Sequence, residues 1–138
     1  MTQCWKKPLA GDIVWSYFPD ELQKKPAEKP RPALILAVYD DNAPEFGVLV
    51  AYGTSQRVDQ LYSGEFAITT ADGDAYKAAG LSYDTKFNLV RSLELPFNDE
   101  YFAVPPGAPN GQRPKLGVLH PSLMKRAAAA WSATRSRA

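Results

Sequence analysis

The segment KPRPALILAV, residues 29–38, has an arginine between two prolines and directly before an apolar run. Arg31 is therefore expected at the entrance to a buried strand. An arginine side chain stays charged at ordinary pH, so it must either extend to water or bind a negatively charged group. Pro30 and Pro32 would stiffen the backbone on both sides and so aim the side chain. The structural alternative is a solvated arginine paired with an acidic residue of the preceding loop.

The composition limits the classes of protein to which the chain can belong. Its 138 residues are 45% hydrophobic, which suits one packed domain spanning 1–138. The formal net charge is only +1, so any anion site must come from a local patch. One cysteine and one histidine leave no internal disulfide and argue against structural zinc. A single cysteine also suits a reducing cytoplasm.

The chain lacks the sequence signs of membrane insertion or export. No apolar run reaches the roughly 18 residues of a membrane span. The first residues carry two lysines but no apolar stretch after them, unlike a signal peptide. We therefore expect a cytoplasmic protein with no membrane association, and we expect no metal and no cofactor.

Five segments rich in β-branched and aromatic residues predict strands. They are 13–18, 33–40, 46–53, 64–69 and 86–95. The second and third should form a hairpin over residues 33–53. In the last segment apolar and polar residues alternate, which predicts one buried and one polar face. The apolar set is Phe87, Leu89, Leu93 and Leu95, and the polar set is Lys86, Asn88, Ser92 and Glu94.

Two helices are predicted. Residues 71–80 favour a short helix, capped at Asp72 or Asp74 and stopped by Gly80. A longer helix should begin at Pro121, a residue that suits the first helical position. Its apolar stripe at helical spacing consists of Leu123, Met124, Ala127 and Trp131.

Two loops are rich in proline and are expected to be exposed. They cover residues 19–30 and about 104–115. Many short strands with turn signals, closed by one C-terminal helix, indicate a mainly β fold. We expect a small SH3-like barrel with a short helix and a C-terminal helix.

Three short motifs follow one another along the chain: GDIVW at 11–15, RPALIL at 31–36 and YGTSQ at 52–56. In order and approximate spacing they resemble the PemK/MazF toxins, the toxin halves of bacterial toxin–antitoxin pairs. The C-terminal GVLHPSLMKRAAAAW is similar to the family's last strand and closing helix. The resemblance covers nearly the whole chain and implies a PemK/MazF-type barrel that forms a homodimer. It further implies metal-free cleavage of single-stranded RNA, blocked by a cognate antitoxin.

The resemblance also assigns residues to a site. Arg31 falls where the family has its catalytic arginine, and Thr54 falls on its active-site threonine. Ser55 and Gln56 stand beside Thr54 and are expected to bind substrate. The alternative is that residues 54–56 form only a polar turn, since Ser and Thr routinely stabilise turns.

A second part of the family pattern is altered here. Some members use an arginine and an aspartate two residues apart on a later strand, and an ungapped placement puts Lys86 and Asn88 there. We expect both to bind substrate, since a lysine can hold a phosphate as a point charge. An asparagine cannot act as a general base. The alternative is that both are ordinary residues on a polar strand face.

Metal-free RNA cleavage needs a base for the 2′-hydroxyl, stabilisation of the phosphorane charge and a proton for the leaving 5′-oxygen. The planar fork of Arg31 suits charge stabilisation. The base stays open among Asp20, Glu21 and Glu28, since nothing in the sequence selects one. His120, at the predicted start of the last helix, is expected to be structural.

Aromatic residues allow a functional and a structural interpretation. Tyr52, Tyr62 and Tyr83 could stack on bases, but they also fit hydrophobic rim positions. Trp15 and Trp131 are expected to pack in the core or against a helix. The main alternative function is a non-catalytic PemK/MazF-like barrel that binds RNA or protein, because Asn88 stands where a base would be wanted. The near-neutral net charge also argues against strong RNA binding.

Overall fold

The computed structural model describes residues 5–19, 25–41 and 45–135, and within these ranges the chain forms six strands and two α-helices. The strands are β1 (Asp12–Ser16), β2 (Arg31–Tyr39), β3 (Gly47–Thr54), β4 (Glu65–Ile68), β5 (Thr85–Pro96) and β6 (Lys115–Val118). The helices are α1 (Asp74–Ala79) and α2 (Met124–Arg135). Short 3-10 turns at Thr70–Asp72 and Pro121–Leu123 precede α1 and α2 respectively.

The strands pair antiparallel in one curled sheet with the order β4-β5-β3-β2-β1-β6. The predicted hairpin over residues 33–53 is confirmed as the β2–β3 pair. The predicted fold class is also confirmed, a mainly β small barrel with a short helix and a C-terminal helix. Because β2 begins where β3 ends, the pairing brings Arg31 and Thr54 to the same end of the sheet.

The apolar residues form two clusters that cover the two faces of the sheet. Ile13 and Leu34 belong to the cluster that also includes residues of both helices. Their chain neighbours Val14 and Ile35 belong to the other cluster. Successive side chains of a strand point to opposite faces, so β1 and β2 are buried on both. This explains why residues 33–38 form a nearly continuous apolar run.

Helix α2 packs against the first cluster through small side chains. Ala127 and Ala130 are buried, together with Leu123 just before the helix. The predicted apolar stripe is wrong for Met124 and Trp131, which are 53% and 39% exposed. Met124 lies roughly 100° around the helix axis from Leu123, so the two cannot share one narrow face. The buried stripe continues at Ala130, and this leaves Trp131 at its margin.

Strand β5 contains a bulge that changes the predicted alternation. Tyr52 of β3 pairs with Asn88, whereas the adjacent Ala51 pairs with Ser92, so residues 89–91 have no partner on β3. An odd number of extra residues moves the following side chains to the other face. The expectation of one shared apolar face is therefore wrong. Phe87 and Leu89 belong to the first cluster, and Leu93 and Leu95 to the second.

The predicted stop of α1 at Gly80 is confirmed, and Gly80 adopts the left-handed conformation with φ 70°. The predicted caps are wrong, because the N-cap positions are Thr69 for the 3-10 turn and Gly73 for α1. The carboxylate of Asp72 instead accepts a hydrogen bond from the Thr69 backbone N–H at 2.8 Å.

Asp72 also ties α2 to the sheet. The Arg126 guanidinium donates to both carboxylate oxygens of Asp72 at 3.0 and 3.1 Å, and to the backbone carbonyl of Ala67 in β4 at 2.9 Å. These hydrogen bonds hold the pKa of the Asp72 carboxyl below its ordinary value. The closing helix is therefore anchored on the strand at one edge of the sheet.

Candidate functional site

A cavity of about 440 Å³ opens at the end of the sheet where β2 begins and β3 ends. Arg31, Thr54 and Ser55 all line it, so three of the predicted site residues come together. Extending the register Ala33↔Tyr52 by two residues sets Arg31 directly across from Thr54. A cation and two hydroxyls in the lining of one cavity can hold a tetrahedral anion such as a phosphate.

Gly53 permits the close approach of β2 and β3 at this cavity. A Cβ atom on Gly53 would lie 2.4 Å from the backbone oxygen of Pro32 and 2.9 Å from the ring of Phe87. Neither neighbour can retreat easily, since one is backbone and the other is fully buried. Sequence reasoning did not single out Gly53, although a glycine inside a strand is a recognised sign of a close backbone approach.

Gln56 lies outside the lining of this cavity. Its backbone N–H donates to the hydroxyl oxygen of Thr54 at 3.2 Å, and its side chain is exposed. This local hydrogen bond is of the kind that makes Ser and Thr common in turns. The backbone N–H of Gln56 thus orients the hydroxyl of Thr54.

A second cavity of about 300 Å³ adjoins the first, and Arg31 lines both. Lys25, Lys29 and Arg91 also line it, and Glu28 is the carboxylate in this lining. Among the described residues of its lining, the second cavity therefore has a local excess of positive charge on a chain with a net charge of +1. This is the kind of patch that an anion site on a near-neutral protein requires.

Of the three candidate bases, one lies in the described part of the chain and lines a cavity. Glu28 lines the second cavity together with Arg31. Asp20 and Glu21 lie outside the residues that the structure describes. The loop that carries Glu28 is tied to the barrel, since the Ala27 backbone N–H donates to the Tyr17 carbonyl at 3.2 Å.

Lys86 lies outside both cavity linings and is nearly buried. Its ammonium group lies 3.1 Å from a carboxylate oxygen of Glu65 and donates to the Gln60 carbonyl at 2.8 Å. Glu65 in turn accepts from the Tyr62 backbone N–H at 2.8 Å. Both side chains of this ion pair are only 7% exposed. Lys86 thereby fixes the loop that follows Thr54, its partner in the β3–β5 pairing.

Asn88 holds the bulge of β5. Its side-chain oxygen accepts from the backbone N–H groups of Val90 at 3.0 Å and Arg91 at 3.2 Å. The bulge turns Arg91 so that its guanidinium lies 4.4 Å from the ring centre of Tyr52 and 5.7 Å from that of Phe18. Sequence reasoning missed Arg91, because the regular alternation of β5 gives no sign of the bulge.

The proline-rich loop at about 104–115 contributes to the site. Pro105, Pro106 and Pro109 line the first cavity. The loop is mixed in exposure, since Pro105 and Pro114 are buried whereas Pro106 and Pro109 are exposed. Trp15 lines the same cavity and is only partly buried, so of its two predicted positions the core is wrong.

The remaining candidates from the sequence are His120, Tyr62 and Tyr83. The Nδ1 atom of His120 accepts from the Ser122 backbone N–H at 3.1 Å and caps the turn before α2, which confirms its predicted structural role. The ring of Tyr62 lies 5.2 Å from the Lys86 ammonium group. Tyr83 lines the first cavity and is 72% exposed.

Two negative findings apply to the described ranges alone. Within residues 5–19, 25–41 and 45–135, no three His, Cys, Asp or Glu side chains come close enough to hold a metal ion. Over the same residues, neither α-helix combines the length and the apolar character needed to span a bilayer.

A solved structure similar to this chain is an endoribonuclease in complex with its cognate antitoxin, from a mycobacterial species. The two chains are 18% identical over 95% of this chain and 97% of the other, with a TM-score of 0.59. Neither a family model nor a curated protein matches the sequence. At this identity the likeness establishes the fold, and that fold is consistent with the PemK/MazF-type barrel that the sequence motifs resemble.

The contacts of Asn88 generate a stability prediction. Replacing Asn88 with alanine removes the acceptor for two backbone N–H groups in the bulge. We expect Asn88→Ala to lower the free energy of unfolding by about 1–3 kcal/mol. Asn88→Asp keeps a side-chain oxygen in the same position and should lower the free energy of unfolding clearly less. Urea denaturation of the three proteins measures this, and equal stability of Asn88→Ala and the wild type would contradict the assigned role.

Proposed function

We propose that this chain is the endoribonuclease toxin of a toxin–antitoxin pair and cleaves single-stranded RNA. The observation that carries the proposal is the meeting of Arg31, Thr54 and Ser55 in one cavity at the shared end of β2 and β3. The fold, which is like that of an endoribonuclease solved with its antitoxin, supports the same function. RNA is the proposed substrate because DNA lacks the 2′-hydroxyl nucleophile.

The proposed reaction is attack of a 2′-hydroxyl on its own phosphate without a metal ion. The phosphate lies against Arg31, whose planar guanidinium binds two of its oxygens. The hydroxyls of Thr54 and Ser55 donate hydrogen bonds to the developing charge, and each preorganised donor contributes about 3 kcal/mol. The bond from phosphorus to the 5′-oxygen breaks as the 2′-oxygen bonds to phosphorus, and the 5′-oxygen takes a proton from water. The products are a 2′,3′-cyclic phosphate and a 5′-hydroxyl.

Glu28 is the proposed general base. It lines the second cavity beside Arg31, whereas Thr54 and Ser55 line the first. A phosphate bound at Arg31 would thus have a carboxylate on one side and hydroxyl donors on the other. Asn88 cannot take the role of base, since its amide does not ionise and its oxygen accepts two backbone N–H groups.

Lys86 and Asn88 contribute to substrate binding indirectly in this proposal. Lys86 fixes the loop after Thr54, and Asn88 fixes the bulge that aims Arg91 at the second cavity. Gln56 acts similarly, through its backbone hydrogen bond to Thr54. These residues support the orientation of the groups that touch RNA.

The resemblance to the PemK/MazF toxins adds the partners. The proposed active form is a homodimer in the cytoplasm. A cognate antitoxin would bind it and cover the RNA groove. Free toxin would then stop growth by cutting cellular RNA.

A second candidate function is an RNA-binding or protein-binding module without turnover. The observation that favours it is Asn88, whose position in the resemblance belongs to an aspartate. Such a module would keep the positive second cavity but not the chemistry. Binding of RNA that weakens with salt, without any cleavage, would identify this function.

Cleavage of a long single-stranded RNA in excess EDTA tests the proposed site. Wild-type protein should yield fragments that end in a cyclic phosphate. Arg31→Ala should lower the cleavage rate by roughly 100- to 1000-fold, because the phosphorane charge loses its cationic partner. Lys125→Ala is the matched control, since it removes the same charge from an exposed position on α2. Wild-type activity in folded Arg31→Ala would contradict the assignment.

The same assay tests the base. Glu28→Gln keeps the shape of the side chain but cannot take a proton, so the cleavage rate should fall by roughly 100- to 10,000-fold. Affinity for RNA should not fall, because a negative charge has been removed. Glu94→Gln is the control, because Glu94 is exposed and lies near the C-terminal end of β5. An unchanged rate in Glu28→Gln would exclude Glu28 as the base.

A further inference from the structure

Part of the lining of the first cavity takes no part in the proposed chemistry. Besides Arg31, Thr54 and Ser55, the lining includes Tyr83 and three prolines of the 104–115 loop, Pro105, Pro106 and Pro109. A phosphate uses the cation and the hydroxyls but gains nothing from proline rings and an aromatic ring. This aromatic–proline wall therefore calls for a second kind of ligand group.

We propose that the aromatic–proline wall is a nucleobase subsite, which holds the base of the nucleotide next to the phosphate at Arg31. The proposal rests on the proposed ribonuclease function and extends it to base recognition. Bases of single-stranded RNA are unstacked and are commonly bound against aromatic side chains. Such stacking contributes about 1–3 kcal/mol per base.

Tyr83 has the exposure that a stacking platform requires. Its side chain is 72% exposed, the largest value among the exposed apolar and aromatic side chains of the described residues. Its backbone is nevertheless held, since its carbonyl accepts from the Thr85 hydroxyl at 2.8 Å. The next residue, Asp84, accepts from the Thr70 backbone N–H at 2.8 Å. A fixed backbone with a free ring leaves one aromatic face available for a base.

The proline side of the wall is held in place before any ligand binds. The backbone N–H of Ala108 donates to the Pro105 carbonyl at 3.0 Å, and the side chain of Asn110 donates to the Lys115 and Leu116 carbonyls at 3.0 and 3.2 Å. Prolines have little backbone freedom to lose. A base that enters this cavity therefore meets a preorganised surface, which lowers the entropic cost of binding.

The size and polarity of the cavity fit a base joined to a phosphate. Its volume of about 440 Å³ falls within the usual range of sites for small molecules. Ser82 also lines the cavity and has an exposed side chain, so its hydroxyl can meet the polar edge of a base. The cavity thus joins an anion site, an aromatic platform and a hydrogen-bonding group in one space.

The proposal is tested by mapping cleavage sites on a long RNA of mixed sequence with Tyr83→Ala, Tyr83→Phe and Tyr39→Ala. Tyr39 is a matched control because it is 37% exposed and ends β2, eight residues and roughly 26 Å from Arg31. Tyr83→Ala should lose the base preference at one nucleotide beside the cut. Its kcat/KM should fall roughly 5- to 150-fold, mainly through KM. Tyr83→Phe keeps the ring and should behave as wild type.

Binding of single-stranded 2′-O-methyl RNA, which lacks the nucleophile, separates the subsite from catalysis. If the wild type cleaves no RNA, the ribonuclease proposal fails, and reduced affinity of Tyr83→Ala for this RNA would still support the subsite. Unchanged cleavage sites, rate and affinity in Tyr83→Ala would overturn the subsite. If Tyr83→Ala cleaves and binds RNA like the wild type but is inhibited less by the antitoxin, the subsite is also overturned. The wall would then be assigned to a protein contact.

Discussion

The candidate site depends on how closely two backbones approach each other. At the end of the β2–β3 pair, Gly53 leaves no room for a side chain, because the Pro32 carbonyl and the Phe87 ring occupy that space. Pro32 sits one residue after Arg31, and Gly53 one residue before Thr54. A larger residue at position 53 would separate the strands at the point where cation and hydroxyl face each other. The arrangement of the candidate site therefore rests on a contact that involves no reactive group.

Two arrangements on β5 lie beside this contact, a buried ion pair and a set of hydrogen bonds from the partly buried Asn88. The ion pair of Lys86 with Glu65 holds the loop after Thr54, and Asn88 holds the bulge that directs Arg91. Removing one partner of a buried ion pair costs more than the pair contributes, since the other charge remains without compensation. Both arrangements bring charged or polar groups to the site through the backbone they fix. Lys86 and Asn88, which the resemblance assigns to substrate binding, thus hold backbone segments beside the candidate site.

Much of the fold could be predicted from local patterns. The β2–β3 hairpin, the stop at Gly80 and the helix after Pro121 follow from strand propensity and turn and capping residues. The faces of β5 could not be predicted, since a bulge that Asn88 stabilises leaves the spacing of apolar residues unchanged. The exposure of Trp131 was also missed. Helical periodicity marks a stripe but does not tell where its margin lies.

The residues of the candidate site could likewise be predicted only in part. Arg31 and Thr54 could be proposed from the motifs and lie in one cavity. Arg91 and the aromatic–proline wall could not be proposed from the motifs. Arg91 reaches the site because of the bulge in β5, and the prolines of the wall belong to a loop that is distant in sequence. The burial of Lys86 was missed as well. Its partner Glu65 belongs to another strand, and only the pairing of β4 with β5 brings the two together.

We propose that a substrate phosphate binds where β2 begins and β3 ends. Nuclear magnetic resonance of the labelled protein, titrated with single-stranded 2′-O-methyl RNA, would locate this binding. We expect shifts of the Arg31 side-chain N–H and of the Thr54 and Ser55 backbone amides. Shifts confined to α2, with Arg31 unchanged at saturation, would contradict this proposal.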